Sequence, residues 1–207
     1  MTVRTSTRLA AAGTAALAAA LFMTACTSSE QASDGHTDHS HESTEQEPVI
    51  AGEPAAFNDA DVTFASMMVP HHEQAVELSA LVPDRSTNPE LTALARQIQA
   101  AQEPEINTMN AFLVQWNQGA DQHAGHDMSS MEGMVDAATM TRLESLQGAE
   151  FDTLWLQSMI AHHEGAIAMA KTELADGTNP DAKALAQHII DGQQAEIDQM
   201  KTMLGGS

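Results

Sequence analysis

The chain is 207 residues long and strongly acidic, with 29 Asp and Glu against 8 Lys and Arg and a formal net charge of −21. Nucleic acids and anionic lipid headgroups are recognised mainly by basic side chains, so this balance makes both poor partners and favours cations. Aromatic residues are 3% of the chain and its single cysteine cannot form an internal disulfide, so a base-stacking site and a disulfide scaffold are not expected.

The first 26 residues are typical of a targeting segment. Two arginines precede an apolar run, 9–22, which is too short to span a bilayer comfortably. The run leads into Thr24-Ala25-Cys26, and small residues before a cysteine resemble a bacterial lipoprotein processing site. We therefore expect a lipoprotein signal peptide over 1–26, a lipid on Cys26, and an exported protein anchored to the outer face of the cytoplasmic membrane. An ordinary signal peptide with an incidental cysteine is the alternative.

Residues 27–56 have the composition of a disordered tether. Ser, Thr, Glu, Asp, Gln and Pro dominate, and there are too few apolar side chains to build a core. A histidine tract within the tether is either an auxiliary metal-binding segment or a solvated spacer: His36, His39 and His41.

The first foldable segment, 57–118, predicts a helical hairpin. Apolar residues recur at a spacing of three and four, as in helices that form bundles. Asn58 is a suitable N-cap for a helix over about 59–82, which Pro83 should end. Asn88-Pro89 should start a second helix that reaches about Trp116.

A linker over 119–138 separates this hairpin from the next. It concentrates histidine and methionine without helical or strand periodicity, unlike ordinary Gly/Ser linkers. We expect it to be an auxiliary site for metal capture, and the alternative is a flap packed over the bundle, because methionine adapts to irregular surfaces. The residues concerned are His123, His126, Met128, Met131 and Met134.

The remainder, 139–207, repeats the first hairpin after a short helix. Met-Ile-Ala-His-His-Glu at 159–164 lies 91 residues after Met-Val-Pro-His-His-Glu at 68–73, and an Asn-Pro pair follows each copy at the same distance. Helices are expected over about 139–146, 149–175 and 180–204. Two duplicated hairpins predict an all-α, ferritin-like four-helix bundle over 57–207.

Polar residues interrupt the apolar seams at facing positions. In a short-looped antiparallel hairpin, His71 faces the region near residue 100, and Glu105 lies within about a turn of it. His162 and Glu196 repeat this arrangement in the second hairpin. The buried groups should therefore converge in two clusters or in one shared cluster. Because buried polar groups are costly unless paired, each cluster predicts either a metal site or a structural His–Glu hydrogen bond.

Methionine combined with histidine favours copper over other metals. Thioether sulfur prefers Cu(I), imidazole suits both Cu(I) and Cu(II), and zinc sites rarely use methionine. An exported protein without spare thiols fits this ligand choice. The His-Glu-x-x-His and Glu-x-x-His signatures of zinc proteases and di-iron bundles are absent from the sequence, so an enzymatic role is less favoured than binding.

At these residues the sequence resembles the domain-of-unknown-function 305 family, over about residues 58–204. Met-x-x-His-His-Glu, Asn-Pro and Gln-Gln-x-Glu-Ile-x-x-Met carry the resemblance. The family is ferritin-like in architecture, and some members are periplasmic copper-binding proteins of the CopM type. The resemblance implies as metal ligands Met68, His71, His72, Met109, Met159, His162, His163, Met169 and Met200, to which the facing seams add Glu105 and Glu196.

The predicted function is that of an extracytoplasmic copper-binding lipoprotein that sequesters or delivers the ion. Delivery would involve a protein partner, and self-association is a further option. One alternative is a ferritin-like redox enzyme, which requires a metal centre with open positions. Another is a metal-free interaction module of the cell envelope, which would bind no metal stoichiometrically.

Overall fold

The computed structural model describes residues 55–118 and 131–205. These residues form five helices: α1 (Asp59–Arg85), α2 (Pro89–Gln115), α3 (Ala137–Ser145), α4 (Gly148–Asp176) and α5 (Pro180–Gly205). The described ranges contain no strand, which confirms the all-α prediction. Within them, no helix combines the length and the apolar character needed to cross a membrane. The proposed signal peptide, nearly all of the tether, and linker residues 119–130 lie outside these ranges.

The helix boundaries follow local capping chemistry. The Asn58 side chain accepts hydrogen bonds from the backbone N–H groups of Ala60 and Asp61, and Asp61 accepts the N–H of Asn58 at 2.6 Å, which completes a capping box. The Asn88 side chain accepts from the N–H of Glu90 at 2.9 Å, with proline at the first helical position. Both predicted helix starts are therefore confirmed.

The expected end of α1 at Pro83 is wrong. The helix continues to Arg85, and the N–H of Ser86 closes its last turn on the carbonyl of Val82. A proline removes one backbone donor, but near a helix end this costs only one bond of the last turns. The Arg85 Nη2 also donates to the carbonyl of Glu144 at 3.0 Å, which ties this end of α1 to α3.

The four long helices pack as two hairpins, α1 with α2 and α4 with α5. The hairpins meet mainly along α1 and α4, which run antiparallel, whereas α2 and α5 contact each other much less. The Trp155 Nε1 donates to the carbonyl of Leu78 at 2.8 Å near one end of the α1–α4 contact. Backbone N–H groups of Thr178 and Asn179 donate to the Asp61 carboxylate near the other end.

The core consists of two apolar layers. One layer contains Leu78 and Trp155, and the other contains Phe64 and Ala166. Along α1 and α4 the His-His pairs lie between these layers. The bundle therefore buries its histidines at its middle level, where the two hairpins contact each other.

Candidate metal centre

The first histidine of each repeat lies against its counterpart at the centre of the bundle. The ring centroids of His71 and His162 are 3.8 Å apart with the planes tilted by 36°, and both residues are fully buried. The two hairpins therefore share one centre, which decides between the two arrangements that the sequence left open. The backbone of Glu132 lies near the His71 ring. None of the four ring nitrogens of His71 and His162 has a hydrogen bond of standard geometry to the described residues.

Both rings of this pair are electrically neutral. Burial, reinforced by the charges that neighbouring His72 and His163 would carry, lowers the pKa of His71 to about 3. Burial, followed by the effect of His71 and the other two histidines, lowers the pKa of His162 well below its ordinary value. A neutral imidazole keeps the lone pair that a metal requires, so the centre is available to metal without first losing protons.

The second histidine of each repeat is paired with a glutamate. His72 Nε2 lies 2.8 Å from Glu105 Oε2, and His163 Nε2 lies 2.8 Å from Glu196 Oε2. The expectation that His71 and His162 face the glutamates is therefore wrong. Successive residues of a helix point roughly 100° apart. The second histidine of each pair consequently points into its own hairpin, whereas the first points across to the other hairpin.

These pairs leave a free nitrogen on each second histidine. When a neutral imidazole donates its Nε2 proton to a carboxylate, the lone pair is on Nδ1. The Nδ1 atoms of His72 and His163 are buried and lack a hydrogen-bond partner among the described residues. A carboxylate that holds a histidine in this way is the common outer support of metal-binding imidazoles.

Two glutamines add to the polar centre, although the sequence singled them out only as interruptions of the seams. Gln102 is 1% exposed and Gln193 is 4% exposed. Neither amide group has a partner among the described residues. Buried polar groups in proteins are nearly always hydrogen-bonded, yet six ring nitrogens and four amide atoms of these residues have no partner among the described residues.

Four predicted methionine ligands are fully buried in the layers that enclose the histidines. Met68 and Met109 belong to one apolar layer, and Met159 and Met200 belong to the other. Met68 and Met159 each precede a centre histidine by about one helical turn. Each of the four long helices thus supplies one buried thioether to the bundle.

Met169 lies apart from this group. It follows His162 by two helical turns, about 10 Å along the axis. It lines a cleft of about 350 Å³ between α1 and α4, together with Phe64, Met67 and Glu173. Its position is therefore at one end of the bundle rather than at the level of the histidines.

The described end of the linker packs across α4 next to the centre. A Cβ on Gly165 would collide with the carbonyl of Glu132, and Gly133 takes a left-handed backbone conformation with φ +85°. The Gln74 side chain holds Val135 by two hydrogen bonds, of 2.9 Å to its carbonyl and 2.8 Å from its N–H.

This packing favours the flap interpretation for the last part of the linker. Met131 is 7% exposed and Met134 is partly buried. His123, His126 and Met128 lie outside the described residues, as do His36, His39, His41 and Cys26. Their predicted roles stay predictions.

The donor set can be compared with the needs of different metals. Within 55–118 and 131–205, no three His, Cys, Asp or Glu side chains are grouped so as to hold a metal. Buried imidazoles flanked by thioethers fit a soft ion such as Cu(I).

A family model described as a domain of unknown function, DUF305, matches residues 61–204. The chain belongs to the DUF305 family. Among solved structures, it is similar to a DUF305 protein from Streptomyces coelicolor, with 33% identity, a TM-score of 0.66 and coverage of 71% of this chain and 93% of that one. A DUF305 fragment from Deinococcus radiodurans is 32% identical with a TM-score of 0.67, and 74% and 99% of the two chains are covered.

CopM in its Cu(I)-bound form is also similar, with 31% identity, a TM-score of 0.59 and coverage of 70% of this chain and 96% of CopM. CopM has been solved in a Cu(II)-bound form as well. An uncharacterized protein of Acanthamoeba polyphaga mimivirus is 37% identical over 65 residues, which are 31% of this chain. The matched part spans 42% of the length of that relative. The predicted DUF305 fold is thus confirmed.

Proposed function

We propose that this protein binds copper outside the cytoplasm, at the centre formed by His71 and His162, and stores the ion or passes it on. The observation that carries the proposal is the set of buried, neutral imidazoles without hydrogen-bond partners among the described residues, enclosed by layers that contain methionine. Such groups are costly to bury unless something binds them. A soft ion held by nitrogen and sulfur satisfies the imidazoles and needs no carboxylate.

The buried residues divide into two roles. His71 and His162 are the principal nitrogen ligands, with the Nδ1 atoms of His72 and His163 beside them. Glu105 and Glu196 orient these last two rings and so act through them. Sulfur comes from the four buried methionines: Met68, Met109, Met159 and Met200.

Two comparisons support copper and an extracytoplasmic location. CopM, which shares 31% identity over most of its length, has been solved with Cu(I) and with Cu(II). The Streptomyces coelicolor neighbour is described as a candidate secreted protein. The net charge of −21 raises the local concentration of cations around the protein. The His-rich tether and linker fit an accessory role in collecting the ion.

The lipid anchor is a separate part of the proposal and rests on Thr24-Ala25-Cys26. Replacing Cys26 with serine should move the exported protein from the membrane fraction to the soluble fraction, because the serine cannot be lipidated as the cysteine is. Fractionation of cells that express the two forms measures this. An unchanged membrane fraction would mean that the protein is not a lipoprotein.

Competition with a chromophoric Cu(I) chelator tests the copper proposal. His71→Ala with His162→Ala should weaken the tightest Cu(I) site at least tenfold. A matched control replaces Glu73 and Glu164 with glutamine, because both are exposed residues of the same motif. The control should bind Cu(I) as the wild type does. Equal affinity in all three proteins would overturn the assignment.

The free energy of unfolding, measured with and without copper, tests the same variants independently. Ligand binding to the folded state should raise the unfolding free energy of the wild type by about 2.7 kcal/mol at a free Cu(I) concentration a hundredfold above Kd. The double histidine variant should gain much less. A metal-free structural module would instead lose stability on mutation and show no stabilisation by copper in either protein.

A further inference from the structure

The two buried glutamates have different outer neighbours, although they occupy equivalent positions. Glu105 Oε1 lies 3.8 Å from the Nε2 of His188, which is on the opposite hairpin. Glu196 Oε1 accepts a hydrogen bond of 3.2 Å from the Nε2 of Gln97, also from the opposite hairpin. Gln97 and His188 are 91 residues apart, so they too are repeat equivalents. The duplicated bundle therefore has an imidazole at one of two matched places and an amide at the other.

His188 connects solvent to the buried His72 through Glu105. Its side chain is 75% exposed, that of Glu105 is 11% exposed, and that of His72 is fully buried. The three side chains form a continuous polar path, because one oxygen of Glu105 meets His72 and the other faces His188. Of the five histidines in the described residues, His188 is the exposed one.

The path lies on the side of the bundle where packing is loosest. On the opposite side, α1 and α4 are in close contact, and residues 131–135 cover α4. On the α2–α5 side, Ala101 and Gly192 are exposed and lie midway along their helices between the Gln97–Glu196 and Glu105–His188 contacts. A Cβ added to Gly192 would meet nothing within 4 Å. The unpaired amides of Gln102 and Gln193 are the next residues inward.

The separation of 3.8 Å between His188 Nε2 and Glu105 Oε1 is within the range of an ion pair and also fits two ligands of one ion. It exceeds the limit of a hydrogen bond. Two donors that are each about 2 Å from a metal lie at most about 4 Å apart. Imidazole nitrogen and carboxylate oxygen are ligands that suit Cu(II), in contrast to the thioethers of the core.

We propose that His188 and Glu105 form an outer Cu(II) site on the α2–α5 side, separate from the Cu(I) centre. This inference rests on the proposed copper function. The second hairpin lacks such a site because Gln97 stands where His188 stands. Both equivalent positions lie between α2 and α5, and only the one beside Glu105 therefore has the imidazole that completes the site.

The test uses the internal repeat as its own control. Full-length protein is first changed to asparagine at the histidines of the tether and the linker, which removes competing Cu(II) ligands: His36, His39, His41, His123 and His126. In this background, electron paramagnetic resonance and calorimetry measure Cu(II) binding. The parent should show a Cu(II) binding event with nitrogen hyperfine coupling, and His188→Gln should weaken this event at least tenfold.

The reciprocal variant makes the test symmetric. Gln97→His should add one Cu(II) equivalent beside Glu196, and combining it with His188→Gln should return the count to that of the parent. Unchanged Cu(II) binding in His188→Gln would overturn the outer site. Cu(I) affinity measured on the same proteins should stay constant. Cu(II) binding that depends on His188, without any tight Cu(I) binding, would reject the Cu(I) centre and keep the outer site. Tight Cu(I) binding with Cu(II) binding that does not depend on His188 would keep the centre and reject the outer site.

Discussion

The two hairpins bury the same His-His and Glu residues but differ at three positions around them. Both His–Glu pairs have a distance of 2.8 Å, and both first histidines meet at one place. Gly165 lies under the end of the linker, whereas its equivalent is Gln74. At the end of the bundle, Glu173 is equivalent to the apolar Val82. Next to the buried glutamates, His188 is equivalent to Gln97. The centre is therefore nearly symmetric, whereas access to it and the stability of its two ends are not.

The end of the bundle near Asp61 shows this asymmetry most clearly. The fully buried Asp61 carboxylate accepts hydrogen bonds from the N–H groups of Asn58, Thr178 and Asn179. Burial acts to raise the pKa of Asp61, but these bonds and the nearby Glu173 carboxyl outweigh it and lower the pKa. Burial, followed by the proximity of Asp61, raises the pKa of Glu173 to about 8. At the opposite end, the equivalent positions hold a partly buried Asp152 and an apolar Val82.

The largest expected effect comes from removing the buried acceptor at this end. Asp61→Ala should lower the free energy of unfolding by about 3–5 kcal/mol, because it leaves three backbone N–H groups without their charged partner. Asp152→Ala, at the equivalent position, should cost less than about 1 kcal/mol, because that side chain is partly exposed. Urea unfolding of both variants measures the difference. Equal losses would show that the two ends are energetically alike.

The Glu173 carboxyl should make the stability depend on pH. Its pKa is raised in the folded state, so its contribution is fully present below about pH 4.5 and is lost as the pH rises through about 8. The wild type should therefore lose on the order of a few kcal/mol across this interval, relative to Glu173→Gln. The contribution of Asp61 to stability has the opposite pH dependence. Because its pKa is lowered in the folded state, this contribution is present above about pH 3.8 and is lost only at lower pH. Parallel pH profiles of wild type and Glu173→Gln between pH 5 and 8 would contradict this account.

Two glycines distinguish the covered side of the bundle from the open side. Gly165→Ala should destabilise by about 1–3 kcal/mol, because the new methyl group meets the backbone of Glu132 and must displace the linker end. Gly192→Ala should be neutral or should stabilise by up to about 1 kcal/mol, because it adds a better helix former in open space. Thermal unfolding checks both. A destabilising Gly192→Ala would mean that the α2–α5 side is closed.

The smallest effect is expected at Met169, whose repeat equivalent is Leu78. Met169→Leu makes the two hairpins alike at this position and keeps the apolar volume. Cu(I) affinity should change less than twofold, because Met169 lies about two turns from His162. Met159→Leu is the matched comparison, and it should weaken binding about tenfold or more. A larger loss for Met169→Leu would place this residue among the ligands.

The sequence predicted the helices and the hairpins because both depend on local patterns. Seam spacing, asparagine caps and the Asn-Pro pairs determine where the chain is helical and where it turns. Pro83 does not end α1, because a proline in the last turns of a helix disturbs few hydrogen bonds. The repeat also predicted which residue types are buried at the centre.

Which histidine faces which partner could not be predicted in the same way. His71 and His72 differ by one residue, and the seam periodicity is too coarse to assign each ring to a neighbouring helix. The contact between His71 and His162 depends on how two hairpins dock, and local spacing carries no information about that. His188 lies on a polar helix face without a motif. The one signal for it was its alignment with Gln97 across the repeat.

X-ray absorption at the copper edge tests the central claim most directly. The protein should carry Cys26→Ser, so that methionine is its sole source of sulfur, and should be loaded with one equivalent of Cu(I). The spectrum should contain imidazole nitrogen and thioether sulfur as neighbours of copper. In the variant with His71→Ala and His162→Ala the imidazole scattering should fall sharply. An identical spectrum in that variant would contradict a copper site that uses these two imidazoles as ligands.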